Sequence, residues 1–150
     1  MPPLLLILDE WIFHHLEGQA GPERQEEAIR LLEEIQRRCD QIAWRPQTPW
    51  ARKAYKLMNK QEPVVRIASK LLHGLLRDSN KGRIITVSTD LPPEVHSKIP
   101  EDDRYLVEIC LSARDALLVT TDQKLYEVIA PHIRRVQLLD DFLKTYGLRP

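Results

Sequence analysis

Asp103-Arg-Tyr-Leu-Val-Glu-Ile-Cys-Leu-Ser-Ala-Arg-Asp-Ala116-Leu-Leu-Val-Thr-Thr-Asp122 decides the fold. Its first half contains Leu106-Val-Glu-Ile-Cys-Leu111, whose helical spacing predicts a helix over 103–113. Its second half, Leu117–Thr120, is a short apolar run of strand length closed by Thr121 and Asp122. A helix feeding a buried strand is half of a crossover unit. The run Leu4-Leu-Leu-Ile-Leu8, closed by Asp9, supplies a second strand of the same kind.

The rest of the chain repeats the alternation. Trp11–Leu16 reads as a short helix ended by Gly18, and Pro22 suits a first helical position. Ala28, Leu31, Leu32 and Ile35 then mark an amphipathic helix over Glu23–Arg38. Gln41–Trp44 is a weak strand, and Trp50–Met58 a helix after Pro46 and Pro49. Pro63 starts a further helix with Val64, Ile67, Ala68, Leu71, Leu72 and Leu75 on one face, ended by Asn80 and Gly82. Arg83–Ser88 is a β-rich third strand, and the three prolines of Asp90–Pro100 predict a surface loop. Lys124–Ile129, Val136–Leu139 and Asp140–Tyr146 complete the chain as helix, strand and helix. The expectation is a single α/β domain over 1–150, a three-layer α/β/α fold on a mostly parallel sheet with right-handed crossovers.

Charge is balanced overall, 22 basic against 22 acidic residues, yet unevenly placed. Residues 51–84 carry nine cations (Arg52, Lys53, Lys56, Lys60, Arg66, Lys70, Arg77, Lys81, Arg83) against Glu62 and Asp78, whereas acids outnumber bases on both sides. That pattern suits a protein that takes up both cations and a polyanion. Two cysteines, Cys39 and Cys110, make no disulfide framework and point to a reducing, cytoplasmic setting. No signal peptide or membrane-length apolar stretch is expected. No nucleotide-binding glycine motif, serine nucleophile motif or zinc-type Cys/His spacing occurs.

Chain direction sends Asp9, Asp103 and Asp122 to the carboxyl edge of the sheet, where open α/β folds bind ligands. Singly, each has a capping explanation: Asp9 for 11–16, Asp103 for its own helix, Asp122 for the helix after it. Capping does not require all three to gather at one edge. Gathered carboxylates repel one another unless a cation neutralises them, which points to Mg²⁺ or Mn²⁺ and to phosphodiester hydrolysis.

Ile99-Pro-Glu-Asp-Asp-Arg-Tyr-Leu-Val-Glu-Ile-Cys110, continued through Ala116-Leu-Leu-Val-Thr-Thr-Asp-Gln-Lys-Leu125, resembles the second half of a PIN domain, and Leu4–Asp9 resembles that family's opening. The resemblance covers essentially the whole order of elements. It implies a metal-dependent ribonuclease acting on single-stranded RNA, with Asp9 as first acid, Asp103 as third (Asp102 its rival) and Asp122 as fourth. It also implies that Thr120 orients a carboxylate or phosphate, and many single-domain members are toxins paired with an antitoxin-like protein. One position departs. The family's second acid belongs at the start of the helix after the second strand, and Gln47–Leu57 contains no acid. Glu62 lies about two turns too late. Glu10 is close to Asp9 but is expected to take a different direction, toward solvent.

Arg52, Lys53 and Lys56 are the expected RNA contacts, while Trp50 and Tyr55 read more simply as inward-packed aromatics than as base-stacking surfaces. His14 and His15 point about 100° apart on a helix and are expected at the surface rather than on one metal. An inactive relative that binds RNA or a protein is the competing reading, because of the missing acid. A phosphate-accepting signalling domain would match Asp9-Glu10 and Ser88-Thr-Asp90 only loosely. A homodimer is compatible with the composition and not demanded by it.

Overall fold

The computed structural model describes residues 2–88 and 90–150. Five strands form one sheet: β1 (Leu5–Leu8), β2 (Gln41–Trp44), β3 (Gly82–Ile84), β4 (Ala116–Thr120) and β5 (Val136–Leu138). Their order is β3-β2-β1-β4-β5 and every neighbouring pair is parallel. Helices α1 (Trp11–Leu16), α2 (Pro22–Arg37), α3 (Pro49–Leu57), α4 (Pro63–Arg77), α5 (Pro93–His96), α6 (Arg104–Ser112), α7 (Gln123–Ile129) and α8 (Leu139–Thr145) flank it, making a three-layer α/β/α fold. The central strand β1 is buried along its whole length, as an apolar run without alternation requires.

Local chemistry sets the boundaries. Gly18 leaves α1 at φ 81, a conformation costly for other residues. Pro22, Pro49 and Pro63 each open a helix at a first-turn position, where the missing N–H costs nothing. Thr48 caps α3 by accepting from the Ala51 amide at 3.2 Å. Among the described residues no helix is long and apolar enough to cross a membrane.

Three expectations need correction. Val64 and Ile67 lie on the exposed side of α4, and the buried face is Val65, Ala68, Ser69, Leu72, His73, Leu75 and Leu76. Apolar residues cover more than half of this helix, so periodicity alone cannot choose its inner face; the neighbouring helices do. The third strand stops at Ile84 rather than Ser88, because Trp44, the last residue of β2, is already spent on Ile84 and the Ile85 amide. Within Ser88-Thr-Asp90, Thr89 lies outside the described residues, and Ser88 and Asp90 are exposed and non-regular. The proline-rich segment 90–100 is more than a loop: it contains α5 and buries Leu91, Val95 and Ile99. Those anchors lead the chain into the turn that carries Asp103.

Candidate active site

β1 and β4 run side by side with Leu8 opposite Val119, so Asp9 and Thr120 emerge together at the carboxyl edge. The Asp9 amide donates to the Val119 carbonyl at 3.1 Å and keeps the two strand ends in step. Two indoles fasten the same place: Trp11 Nε1 donates to the Val119 carbonyl at 2.8 Å and Trp50 Nε1 to the Leu8 carbonyl at 2.7 Å. Both tryptophans are buried, so the floor under Asp9 is packed and its polar atoms are paired.

Asp9 is buried and does not cap α1, whose first residues receive no side-chain bond. Its Oδ1 accepts from the Glu10 amide at 2.6 Å and its Oδ2 from the Thr120 hydroxyl at 2.7 Å. Thr120 Oγ1 in turn accepts from the Asp122 amide at 3.0 Å. Thr120 thus joins the first and last acids through one buried hydroxyl. Asp122 does cap, through Oδ1 and the Leu125 amide at 3.1 Å, and is otherwise exposed. Asp103 ends a 3-10 turn (Glu101–Asp103) at the head of α6 and makes no capping bond, so the capping explanation fails for it.

The charges feel one another. Burial pushes the Asp103 carboxyl up to about 6, and Asp9, Asp122, Glu10 and Asp102 push in the same direction. Burial also raises Asp9, against the opposing bonds from Thr120 and the Glu10 amide; the charges of Glu10 and Asp122 add to the rise. Glu10 is therefore within electrostatic reach of the cluster, and at 20% side-chain exposure it is not turned out to solvent as expected. It continues the turn into α1, and Lys53 on α3 holds it with Nζ 3.1 Å from Oε1. Beside it the Tyr105 hydroxyl is buried without a hydrogen-bond partner. Burial raises its pKa, and so do the charges of Glu10, Asp9 and Asp103, against a weaker opposing pull from the Trp50 backbone that falls short of a well-formed hydrogen bond, so the phenol keeps its proton among carboxylates.

Among the described residues, no three His, Cys, Asp or Glu side chains already close on one point as a finished metal cage. The donor set nevertheless fits a hard cation. It is all oxygen, each Asp carboxylate retains lone pairs, and its repulsion is relieved locally by Lys53 alone among the paired cations. The Tyr105 hydroxyl, with no well-formed hydrogen bond of its own, would serve a bound water or phosphate oxygen.

Thr120→Val tests the link without changing shape. It leaves Asp9 Oδ2 and the Asp122 amide without partners, at a cost of about 1–3 kcal/mol. A urea midpoint equal to the parent's would mean that the hydroxyl bridge contributes nothing.

Arg52 and Lys56 are exposed and unpaired among the described residues, as a polyanion contact should be, whereas Lys53 is engaged by Glu10. Trp50 packs inward as expected, but Tyr55 does not, being 56% exposed. His14 is exposed, but His15 is buried against Trp11, with ring centroids 5.1 Å apart. His15 lies one turn after Trp11 and shares its inward face. Sequence reasoning missed Tyr105, which sits in an ordinary apolar helix pattern, and misdirected Glu10, whose adjacency to Asp9 was the available signal. A separate cavity of about 570 Å³ opens at the opposite, amino edge, by Leu4, Asp40 and Tyr146. No family model, curated protein or solved structure matches this chain.

Proposed function

We propose that this chain is a PIN-like endoribonuclease that cleaves single-stranded RNA with the help of Mg²⁺ or Mn²⁺. The observation that carries the reading is the set of mutually repelling carboxylates, Asp9, Asp103, Asp122 and Glu10, fixed at the carboxyl edge of a parallel sheet. Asp9, Asp103 and Asp122 would hold the ion, which when bound supplies a Lewis acid for phosphate and a lowered pKa for a coordinated water. Glu10, steadied by Lys53, stands in for the acid that α3 lacks. Thr120 fixes the orientation of Asp9, Tyr105 offers its proton to an oxygen entering the site, and Arg52 and Lys56 draw the RNA backbone in.

A second reading rests on the absence of any acid in Gln47–Leu57, where the helix instead offers Lys53 to Glu10. On that reading the chain binds RNA or a protein without cutting. An antitoxin-like partner belongs to the leading proposal through the resemblance, a cytoplasmic setting through the two free cysteines, and a homodimer is allowed by the composition without being required.

The deciding experiment is incubation of end-labelled, unstructured RNA with the purified protein in Mn²⁺ and in EDTA. Cleavage in Mn²⁺ that EDTA abolishes supports the nuclease. Intact RNA in both, with RNA still retained by the protein, favours the binding module.

A stability measurement gives an independent check. Asp103 holds its proton more tightly folded, at about 6, than at the ordinary 3.8. Between those values the folded state binds more protons than the unfolded state, so stability falls as pH rises through that window. Above it the ionised cluster is uncompensated, and Mn²⁺ should restore what was lost. After discounting for solvent screening the effect is about 1 kcal/mol, or ~2–4 °C in Tm. A Tm at neutral pH that ignores Mn²⁺ would argue against a cation site at these acids.

A further inference from the structure

We propose that the groove between α3 and α4 is a second contact for RNA, seating backbone phosphates away from the acids; this rests on the RNA reading above. The groove encloses about 260 Å³ and is lined by Arg66, Lys70, Arg77, Ser69, His73 and Met58. Arg66, Lys70, His73 and Arg77 follow one another at intervals of four, three and four residues, which is a single stripe along a helix. The stripe extends about 16 Å along the axis, long enough to follow a strand past more than one phosphate. None of its three permanent cations pairs with a carboxylate among the described residues, in contrast to Arg24, Arg37, Arg38 and Arg149 on α2 and near it.

The floor is built rather than incidental. Ser69 and His73 are buried, and His73 Nε2 lies 2.7 Å from the Ala54 carbonyl, which ties α4 to α3 beneath the cations. Tyr55 does not line the groove but neighbours it, exposed and with its ring centroid 5.9 Å from that of His73. Unpaired cations flanked by an open aromatic face match a polyanion with unstacked bases. A purely acidic peptide such as polyglutamate would supply the charges but no ring to stack. α3 also connects the groove to the acids: Lys53, bound to Glu10, precedes Met58 by five residues, about 8 Å along the helix.

The test is fluorescence anisotropy of a short labelled oligouridylate in EDTA, where no cutting interferes, across a range of salt. Arg66→Ala/Lys70→Ala changes two exposed residues and should weaken binding about tenfold. It should also make the salt dependence shallower by about 1.4, two phosphates at ~0.7 each for a single strand. Tyr55→Ala should weaken binding about tenfold or more at every salt with the slope unchanged. Unchanged affinity and slope in the double variant would overturn the groove. So would loss of polyglutamate binding with RNA binding intact, which would assign these cations to an acidic protein. The Mn²⁺ cleavage assay on the same variants keeps the two ideas apart. Metal-dependent cutting with no groove effect removes the groove alone. Groove-dependent binding without cutting removes the nuclease alone.

Discussion

Asp103→Asn is expected to abolish RNA cleavage, a loss of at least about a hundredfold, while leaving the protein folded and slightly more stable in the absence of metal. Replacing partners that merely support a metal ligand costs about 10–100-fold, so removing a ligand should cost more. Asp103 is the acid to choose because it has no other work. Asp9 carries buried hydrogen bonds from Thr120 and the Glu10 amide, and Asp122 caps α7, so changing either disturbs structure as well as chemistry. Asp103 makes no such bond and is raised by its neighbours' charge. Its amide would remove repulsion and keep the shape. The measurements are the rate of cutting in Mn²⁺ and a thermal melt in EDTA. Cutting at the parent rate would show that the carboxylate cluster is not where the reaction occurs. A variant that loses activity through unfolding would melt early, which the second measurement detects.

Gly82→Ala should destabilise the fold by about 3 kcal/mol, at the upper end of ordinary overpacking costs. A Cβ at this position would lie 2.6 Å from the Leu76 carbonyl oxygen and 2.9 Å from that of Leu75. Both are backbone atoms of the last turn of α4, so no side chain can rotate away. Gly82 is not among the residues of positive φ, so the requirement is space and not backbone freedom. Relief would need α4 and β3 to separate, and β3 is an edge strand held by β2 alone. For a domain of this size the loss corresponds to a Tm lower by ~6–12 °C. A melt within a degree or two of the parent's would mean that the α4–β3 junction yields more easily than its geometry implies.

The sequence was most legible where one periodicity had one answer. α2 shows a single apolar stripe, Ala28, Leu31, Leu32 and Ile35, and all four are buried. β1 and β4 are apolar runs with a polar stop, and pairing them sets Asp9 beside Thr120, so the resemblance's expectation that Thr120 orients a carboxylate is met by its bond to Asp9. Legibility failed where local preference had to compete with tertiary supply. Thr86, Val87 and Ser88 had every right to be strand, but β2 ends at Trp44 and offers no further partner. α4 had apolar residues on too many sides, and its packing chose the face that includes Ser69 and His73. The direction of Glu10 depends on how the chain turns from β1 into α1, and its partner Lys53 lies 43 residues away. No pattern in the sequence joins those two.

The centre of the sheet has a consequence for timing. β1 and β4 are neighbours in space, yet the Thr120–Asp9 bond spans 111 residues. Contacts this remote along the chain must wait for the segment between them, and they slow folding accordingly. On the ribosome, Asp9 emerges 111 residues ahead of Thr120 and is without its strand partner until β4 has left the exit tunnel. Whatever chemistry the carboxylates perform, a nascent chain does not possess it. The cluster comes into being only once β4 has joined β1, and a product truncated before β4 lacks Thr120 and Asp122 altogether.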